Sequence, residues 1–331
     1  MIYDCFSFCN ELDLLEIRLN VLNDVVDKFV LAEATHTHTG KPKPLYFNEN
    51  KARYSDFADK IIHVIVDDFP SPPEGYTLRQ ASWMRENWQR NALVRGLVGA
   101  STKDMILISD LDEIPKPESV LKASRRKGVV QFHQWFFNFY LNYLNYVRPF
   151  WPGTKALRYS DLMDPKTYHG MKEVEYVDKT VNAVPSMTKI RYRQGDSAIA
   201  KAGWHFSYLG GAEAVWQKVD SIAVEYNDSK SISASIIDRI IKEGDDLTNC
   251  GYRFFPVQMD ARYPAYLLEH QVKFSSLILP EKFFRRTSRF EKGRCFLRGW
   301  IRRFGARLIP SFLKPFLFNI YCRVVKNPIR I

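Results

Sequence analysis

The sequence contains few cysteines and no long hydrophobic run. Its five cysteines are odd in number and include no CxxC pair, which argues against a disulfide-stapled scaffold and indicates reduced thiols. No stretch of about 18 apolar residues occurs, so no membrane-spanning helix is expected. The first residues, MIYDCFSF, lack the basic and apolar regions of a secretory signal peptide. Together these absences predict a cytoplasmic protein.

Acidic residues are almost missing from the last 50 residues. Residues 282–331 hold 14 of the 48 Lys and Arg but only one of the 37 acidic residues, Glu291. The rest of the chain is therefore close to neutral, and it lacks the positive surface that nucleic-acid binding requires. Arg alternates with Phe, Leu, Ile and Trp in the tail, which predicts a basic amphipathic segment over 281–331. Such a segment either binds an anionic membrane surface or packs on the domain with its arginines outward.

Apolar strands alternate with amphipathic helices along the first third of the chain. The predicted strands are 2–8, 28–34, 60–67 and 105–109, and the predicted helices are 11–22 and 79–98. This alternation predicts a mostly parallel, Rossmann-like α/β sheet flanked by helices, with ligands at the carboxyl ends of its strands. Later predicted strands are 129–133 and 203–210, and later helices begin near 212 and span 231–243. The aromatic region 134–200 shows no clear period.

A group of acids follows the fourth predicted strand, in the segment ISDLDEIP over 108–115. Alternate residues of an extended segment point to one side, so Asp110 and Asp112 can share a divalent cation such as Mn²⁺ or Mg²⁺. Such a cation can be completed by diphosphate oxygens, and it neutralises a departing nucleoside diphosphate. A solvated turn is the alternative. A haloacid-dehalogenase-type phosphatase also uses a DxD motif, but there the motif follows the first strand and precedes Gly-Thr. Here it follows the fourth predicted strand and precedes Glu-Ile-Pro, which disfavours a phosphatase.

Several distinctive blocks occur in order along the chain: FSFCNELDLLEIRL (6–19), GKPKPLYFNEN (40–50), RENWQRNALVRGL (85–97), ISDLDEIP (108–115) and GWHFSYLGGAE (203–213). Together they resemble glycosyltransferase family 17, which includes β-1,4-mannosyl-glycoprotein 4-β-N-acetylglucosaminyltransferases. The resemblance implies a GT-A-like catalytic domain over 1–280, followed by the separate tail. Vertebrate members have an N-terminal anchor and stem, whereas this sequence starts directly in its first predicted strand. The resemblance is therefore expected to be that of a microbial or viral relative.

The activity that this resemblance implies is a metal-dependent, inverting transfer of GlcNAc or a related hexose from a UDP-sugar. The acceptor is expected to be a saccharide or a lipid-linked glycan, in cell-surface or glycoprotein glycan synthesis. Asp110 and Asp112 are the expected metal residues, with Asp112 also counted as catalytic. His205, in GWH, resembles a third metal ligand, although a packed core histidine is equally compatible with its position beside Trp204. Glu113 is a candidate orienting residue.

Six residues are candidates for nucleotide binding besides Asp110. Arg90 and Asn91 precede the acidic strand, where related families place an Arg-Asn near the nucleotide; a helix salt bridge from Arg90 to Glu86 is the alternative. Glu33 ends the second strand, where a carboxylate can hold ribose hydroxyls. The remaining candidates are Asn10, which can instead cap a helix, Glu11 and Lys41.

Inverting transfer also requires a general base for the acceptor hydroxyl. Glu213 is the preferred candidate because it follows His205 closely, although an acid at a helix N-terminus is also stabilised by the helix dipole. Asp245 and Asp246 are the alternatives. Two rival functions remain: a nucleotidyltransferase, disfavoured because CNELDLLE occupies the place of its Gly-rich loop, and a non-catalytic peripheral membrane protein.

Overall fold

A computed structural model of the chain describes residues 1–177, 179–221, 233–248 and 250–281. The strands are β1 Ile2–Phe8, β2 Lys28–Ala34, β3 Ile61–Val66, β4 Met105–Asp110, β5 Glu113–Pro115, β6 Val130–Asn138, β7 Tyr143–Asn145, β8 Phe150–Arg158, β9 Ser197–Ile199, β10 Gly203–Ser207 and β11 Phe254–Pro256. The helices are α1 Leu12–Leu22, α2 Tyr46–Glu49, α3 Leu78–Ala92, α4 Pro117–Ala123, α5 Tyr159–Met163, α6 Lys179–Asn182, α7 Met187–Tyr192, α8 Gly211–Ser221, α9 Ala234–Glu243 and α10 Ala265–Glu269. The predicted tail lies, except for residue 281, outside the described residues.

The N-terminal part of the sheet has the order β3-β2-β1-β4, and every neighbouring pair in it is parallel. The α/β class predicted from the sequence is therefore confirmed. Parallel strands end at the same edge, so the residues that follow β1 and β4 meet there. The register places Ser7 of β1 beside Asp110 of β4. This edge is where the acidic segment lies.

The other part of the sheet is mixed, whereas the sequence predicts a mostly parallel sheet throughout. Strand β8 pairs antiparallel with both β4 and β6. Strand β6 extends the predicted strand 129–133 as far as Asn138, and β7 and β8 come from the aromatic region without a clear period. Strand β10 lies between β5 and β6, and its register places His205 beside both Glu113 and Phe136. This arrangement brings a late segment of the chain to the acids.

Two apolar layers cover the faces of the parallel sheet. Phe6 and Phe8 of β1 pack with α1 on one face, and Tyr3 and Cys5 pack on the other face with the residues that follow α3. Helix α3 ends at Ala92, earlier than predicted, and a 3₁₀ turn continues over Leu93–Leu97. No helix in the described ranges is long and apolar enough to cross a bilayer.

Candidate active site

The turn after β4 is built around Arg18, a fully buried residue of α1. Its guanidinium binds the Asp4 carboxylate through two hydrogen bonds of 2.8 and 2.6 Å. The remaining donors reach the Ser109 hydroxyl at 2.6 Å and the backbone carbonyls of Asp110, Leu111 and Glu113 at 2.9–3.0 Å. Arg18 therefore fixes the backbone from which the three acids project.

Asp110 lies between two arginines. Arg90 Nη2 donates to its Oδ1 at 3.0 Å, and Arg191 Nη2 donates to its Oδ2 at 3.1 Å. Arg90 also pairs with Glu86 at 2.8 Å, as their helical spacing predicts. Burial acts to raise the pKa of Asp110, but the charges of Arg191 and Arg90 outweigh burial and hold this pKa well below its ordinary value. The carboxylate is therefore ionised and neutralised by protein side chains.

Glu113 is fully buried and shares Arg191 with Asp110. One carboxylate oxygen accepts hydrogen bonds from Arg191 Nη2 and, at 2.7 Å, from Trp151 Nε1. The other oxygen accepts the Asp110 amide at 3.3 Å. Burial raises the pKa of Glu113, and the charge of Arg191 offsets only part of that effect. These contacts hold Arg191 beside Asp110, and an orienting role for Glu113 stays a prediction.

Asp112 lies between His205 of β10 and Lys218 of α8. Its Oδ1 is 3.5 Å from His205 Nε2, and its Oδ2 is 3.6 Å from Lys218 Nζ. Lys218 Nζ also lies 3.1 Å from Glu11 Oε1. Although burial acts to raise the pKa of Asp112, the charges of His205 and Lys218 lower it below its ordinary value. The ammonium thus links the segment after β1 to the segment after β4.

Helix α7 is placed over Asp110 by its contacts with α3. The Asn91 side chain accepts a hydrogen bond from the Met187 amide at 3.0 Å, and the Thr188 hydroxyl donates to the Asn87 carbonyl at 3.0 Å. These bonds fix the start of the helix that carries Arg191. Asn91, predicted to bind nucleotide, therefore holds α7 in this structure.

A divalent cation is implied by the sequence, and the side chains present allow it at one position. Asp112 Oδ1 lies 3.5 Å from His205 Nε2, so these two side chains can share one cation. Carboxylate and imidazole are suitable ligands for Mn²⁺. Both oxygens of Asp110, however, are engaged by arginines, and within the described ranges no three His, Cys, Asp or Glu side chains are arranged to hold a metal. The predicted set of Asp110, Asp112 and His205 is thus only partly assembled.

Glu33 and Lys41, both predicted to bind nucleotide, have partners away from the acids, whereas the Asn10 backbone amide donates to Glu11 Oε2 at 3.1 Å. Glu33 is fully buried, and its carboxylate accepts the Phe47 amide and faces His63 Nε2, each at 3.0 Å. Lys41 is exposed and pairs with Asp220 at 2.6 Å. Asn10 is exposed and does not cap α1, since the N-cap residue is Glu11 and no side chain makes a capping bond there. Both oxygens of Glu33 are thus occupied inside the core, and its role in holding a ribose stays a prediction.

The predicted general base is also displaced from the acids. Glu213 is exposed in the first turn of α8, and with 3.6 residues per turn it lies roughly 140° around the helix from Lys218. Asp246 is buried and accepts the backbone amides of Thr248, Cys250 and Tyr252. Its carboxylate therefore stabilises a turn. Asp245 pairs with Arg253 at 3.0 Å.

Sequence reasoning missed three cations of the site, namely Arg18, Lys218 and Arg191. A signal existed for Arg18, because it lies on the same helix face as Leu15, Leu19 and Leu22, where a charge requires a buried partner. Lys218 and Arg191 carry no such signal, since each reaches the acids from a distant segment. We call Arg90, Arg191 and Lys218 the basic trio, and Glu11, Asp110, Asp112 and Glu113 the acidic cluster.

The acidic cluster and the basic trio form a polar site at the carboxyl edge of the parallel strands. Its carboxyl groups are either ionised or buried and hydrogen-bonded. Its cations come from three separate helices. Paired arginines and a lysine at one place are suited to binding an anion such as a phosphate, and arginine does so through its planar fork. The arrangement can therefore hold a phosphorylated ligand next to carboxylates.

Several known proteins are similar to this chain in sequence. Residues 1–147 match the model of glycosyltransferase family 17. The chain is 26% identical over 303 residues to the β-1,4-mannosyl-glycoprotein 4-β-N-acetylglucosaminyltransferase of Mus musculus, covering 84% of this chain and 54% of that protein. The Homo sapiens protein of that name is 26% identical over 295 residues, covering 81% of this chain and 53% of its own length. The chain thus spans about half the length of these relatives.

A solved structure with some similarity is the mannosyltransferase PcManGT from Pyrobaculum calidifontis in complex with GDP-Man and Mn²⁺. It is 13% identical, with a TM-score of 0.32, and the match covers 92% of this chain and 87% of that one. The family match over residues 1–147 and the named relatives confirm the resemblance seen in the sequence blocks.

Proposed function

We propose that the chain is an inverting glycosyltransferase that moves GlcNAc or a related hexose from a UDP-sugar to a saccharide or lipid-linked glycan. The observation that carries the proposal is the meeting of the acidic cluster with the basic trio at the carboxyl edge of β1 and β4. The family match of residues 1–147 supports the reaction class. GlcNAc as the sugar rests on the printed names of the relatives.

In the proposed reaction an acceptor hydroxyl attacks the anomeric carbon of the donor. The bond from that carbon to the diphosphate breaks, the diphosphate leaves with the electron pair, and the hydroxyl proton passes to a base on the acceptor side. Arg90 and Lys218 bind the diphosphate and balance its growing charge. Asp112 and His205 would hold Mn²⁺ or Mg²⁺, which when bound neutralises the same leaving group.

The test is a donor screen that measures release of nucleoside diphosphate from a panel of nucleotide sugars. Each donor is assayed with Mn²⁺ and with a chelator, using wild type and Asp112→Ala. We expect turnover of one UDP-sugar, with a loss of roughly 10²-fold or more in the variant. Asp68→Ala is the matched control, because Asp68 pairs with Arg95 beyond the end of β3. Absence of turnover and of nucleotide binding across the panel would refute the transferase function.

A further inference from the structure

Arg90 and Arg191 have more hydrogen-bond donors than the described structure uses. The Nε atom of each is buried and lacks a hydrogen-bond partner in the described part of the chain. Arg191 uses only Nη2, which binds Asp110 and Glu113. A guanidinium presents five N–H donors in a rigid plane, and a buried donor without a partner is costly. The unused donors therefore indicate a ligand with several acceptor oxygens.

Asp110 holds these two guanidinium groups close to each other despite their like charge. It offers one oxygen to each, at 3.0 and 3.1 Å. The Asp110 side chain is 37% exposed, whereas the side chains of Arg90 and Arg191 are 5% and 11% exposed. A ligand that approaches the arginines from solvent thus meets Asp110 first, and it has to replace the contacts that Asp110 makes.

We propose that Arg90 and Arg191 receive the diphosphate of the donor, and that Asp110 holds them in place until the diphosphate arrives. This inference rests on the proposed function, and it adds Arg191 to the donor-binding residues. Phosphate oxygens replace the Asp110 oxygens on the two guanidinium groups, and no covalent bond changes. Asp110 is then free of the arginines, while Glu113 keeps its contacts with Arg191 and Trp151 and so preserves the position of the fork.

The test is calorimetric titration with inorganic pyrophosphate in the presence of a chelator, so that neither a sugar nor a metal is needed. Asp110→Asn is expected to bind pyrophosphate roughly tenfold more tightly than wild type, because pyrophosphate no longer has to displace a carboxylate from the two arginines. Asp112→Asn is the matched control. It removes the same charge from the acidic cluster without touching either guanidinium, and it measures the general gain from reduced repulsion.

The complementary variant removes the new binding residue. Arg191→Met is expected to weaken pyrophosphate binding by roughly tenfold or more and to abolish the gain when combined with Asp110→Asn. Since Arg191→Met leaves the buried Glu113 without its cation, Arg191→Met/Glu113→Gln is prepared as well. Thermal unfolding of both variants shows whether the fold is retained. Arg191→Lys keeps the charge without the fork and should bind with intermediate affinity.

The outcomes separate this inference from the proposed function. Equal gains in Asp110→Asn and Asp112→Asn, or unchanged binding in folded Arg191 variants, would overturn the inference even if the donor screen finds a UDP-sugar. If no nucleotide sugar is turned over but pyrophosphate binding changes as expected, the site is a diphosphate receptor and only the transferase function fails. A gain specific to Asp110→Asn that Arg191→Met cancels supports the inference.

Discussion

At the scale of single residues, Arg18 has the most extensive set of contacts in the site. It is fully buried, it neutralises Asp4, and it binds three backbone carbonyls of the turn that carries the acids. A charge in the core is tolerated only when it is paired and fully hydrogen-bonded. Arg18 therefore couples the stability of the domain to the shape of its site.

We expect Arg18→Met to lower the free energy of unfolding by about 3–5 kcal/mol, because Asp4 remains buried without its cation. The double variant Arg18→Met/Asp4→Leu should recover much of that stability, since no buried charge is left unpaired. It should not recover nucleotide binding, because the carbonyls of the turn still lack their donor. Urea unfolding and nucleotide titration measure the two effects, and a loss below about 1 kcal/mol in the single variant would contradict this prediction.

At the scale of elements, the pairing of β5 with β10 decides which residues meet. It sets His205 beside Glu113, and the Phe206 amide donates to the Asp112 carbonyl at 2.8 Å. The close approach depends on Gly203, whose φ is +153° and where a Cβ would lie 2.2 Å from the Ile114 carbonyl oxygen. Only glycine satisfies both conditions without a shift of one strand.

Gly203→Ala is accordingly expected to cost about 3 kcal/mol or more in unfolding free energy, because backbone strain and a clash with backbone add. Gly99→Ala is the control: Gly99 also has a positive φ, of +89°, but no atom lies within 4 Å of its Cβ position. The control should lose only about 1–2 kcal/mol. Chemical unfolding of both variants gives the comparison, and equal losses would show that the clash is relieved by movement of β5.

Helix α8 supplies a second prediction at this scale. Since Glu213 and Lys218 lie on different faces of the helix, Glu213→Gln should change the turnover of the donor that the screen identifies by less than about threefold. Lys218→Met, in contact with Asp112 and Glu11, should reduce it strongly. Initial rates of diphosphate release measure both. A loss of about 10²–10⁴-fold in Glu213→Gln would instead identify Glu213 as the general base.

At the scale of the whole molecule, Glu16 ties the first helix to residues about 250 positions later. Its side chain is 8% exposed and accepts hydrogen bonds from Tyr266 at 2.6 Å, from Arg53 at 2.7 Å and from Lys273. Burial alone would raise the pKa of Glu16, but the hydrogen bonds from Lys273, Tyr266 and Arg53 lower it to about 2. The folded domain thus favours the ionised form.

A depressed pKa in the folded state gives stability that is present above the unfolded pKa of about 4.3 and is lost as the pH falls toward the folded value. We therefore expect the difference in unfolding free energy between wild type and Glu16→Gln to be largest near neutral pH and to shrink between about pH 4.3 and pH 2. Urea unfolding across this range measures it. Glu49→Gln, at an exposed position without an ion pair among the described residues, should show no such trend.

The sequence by itself determined the parallel strands and the placement of the acids. Continuous apolar runs such as IYDCFSF and MILIS are buried on both faces, and their order along the chain requires the acids to lie at a carboxyl edge. The pairing of Arg90 with Glu86 is likewise local, because both lie on one helix. The basic tail stays a prediction, since it lies almost wholly outside the described residues.

Only the tertiary structure decided which charges meet the acids. Arg191 and Lys218 are separated from Asp110 and Asp112 by about 80 and 106 positions in the sequence, and neither lies in a pattern that predicts its partner. Likewise, Glu33 and Asp112 both follow or end parallel strands, yet Asp112 faces His205 and Lys218, whereas Glu33 contacts the Phe47 amide and His63. Local periodicity predicts elements, but ion pairs between distant segments depend on how those elements pack.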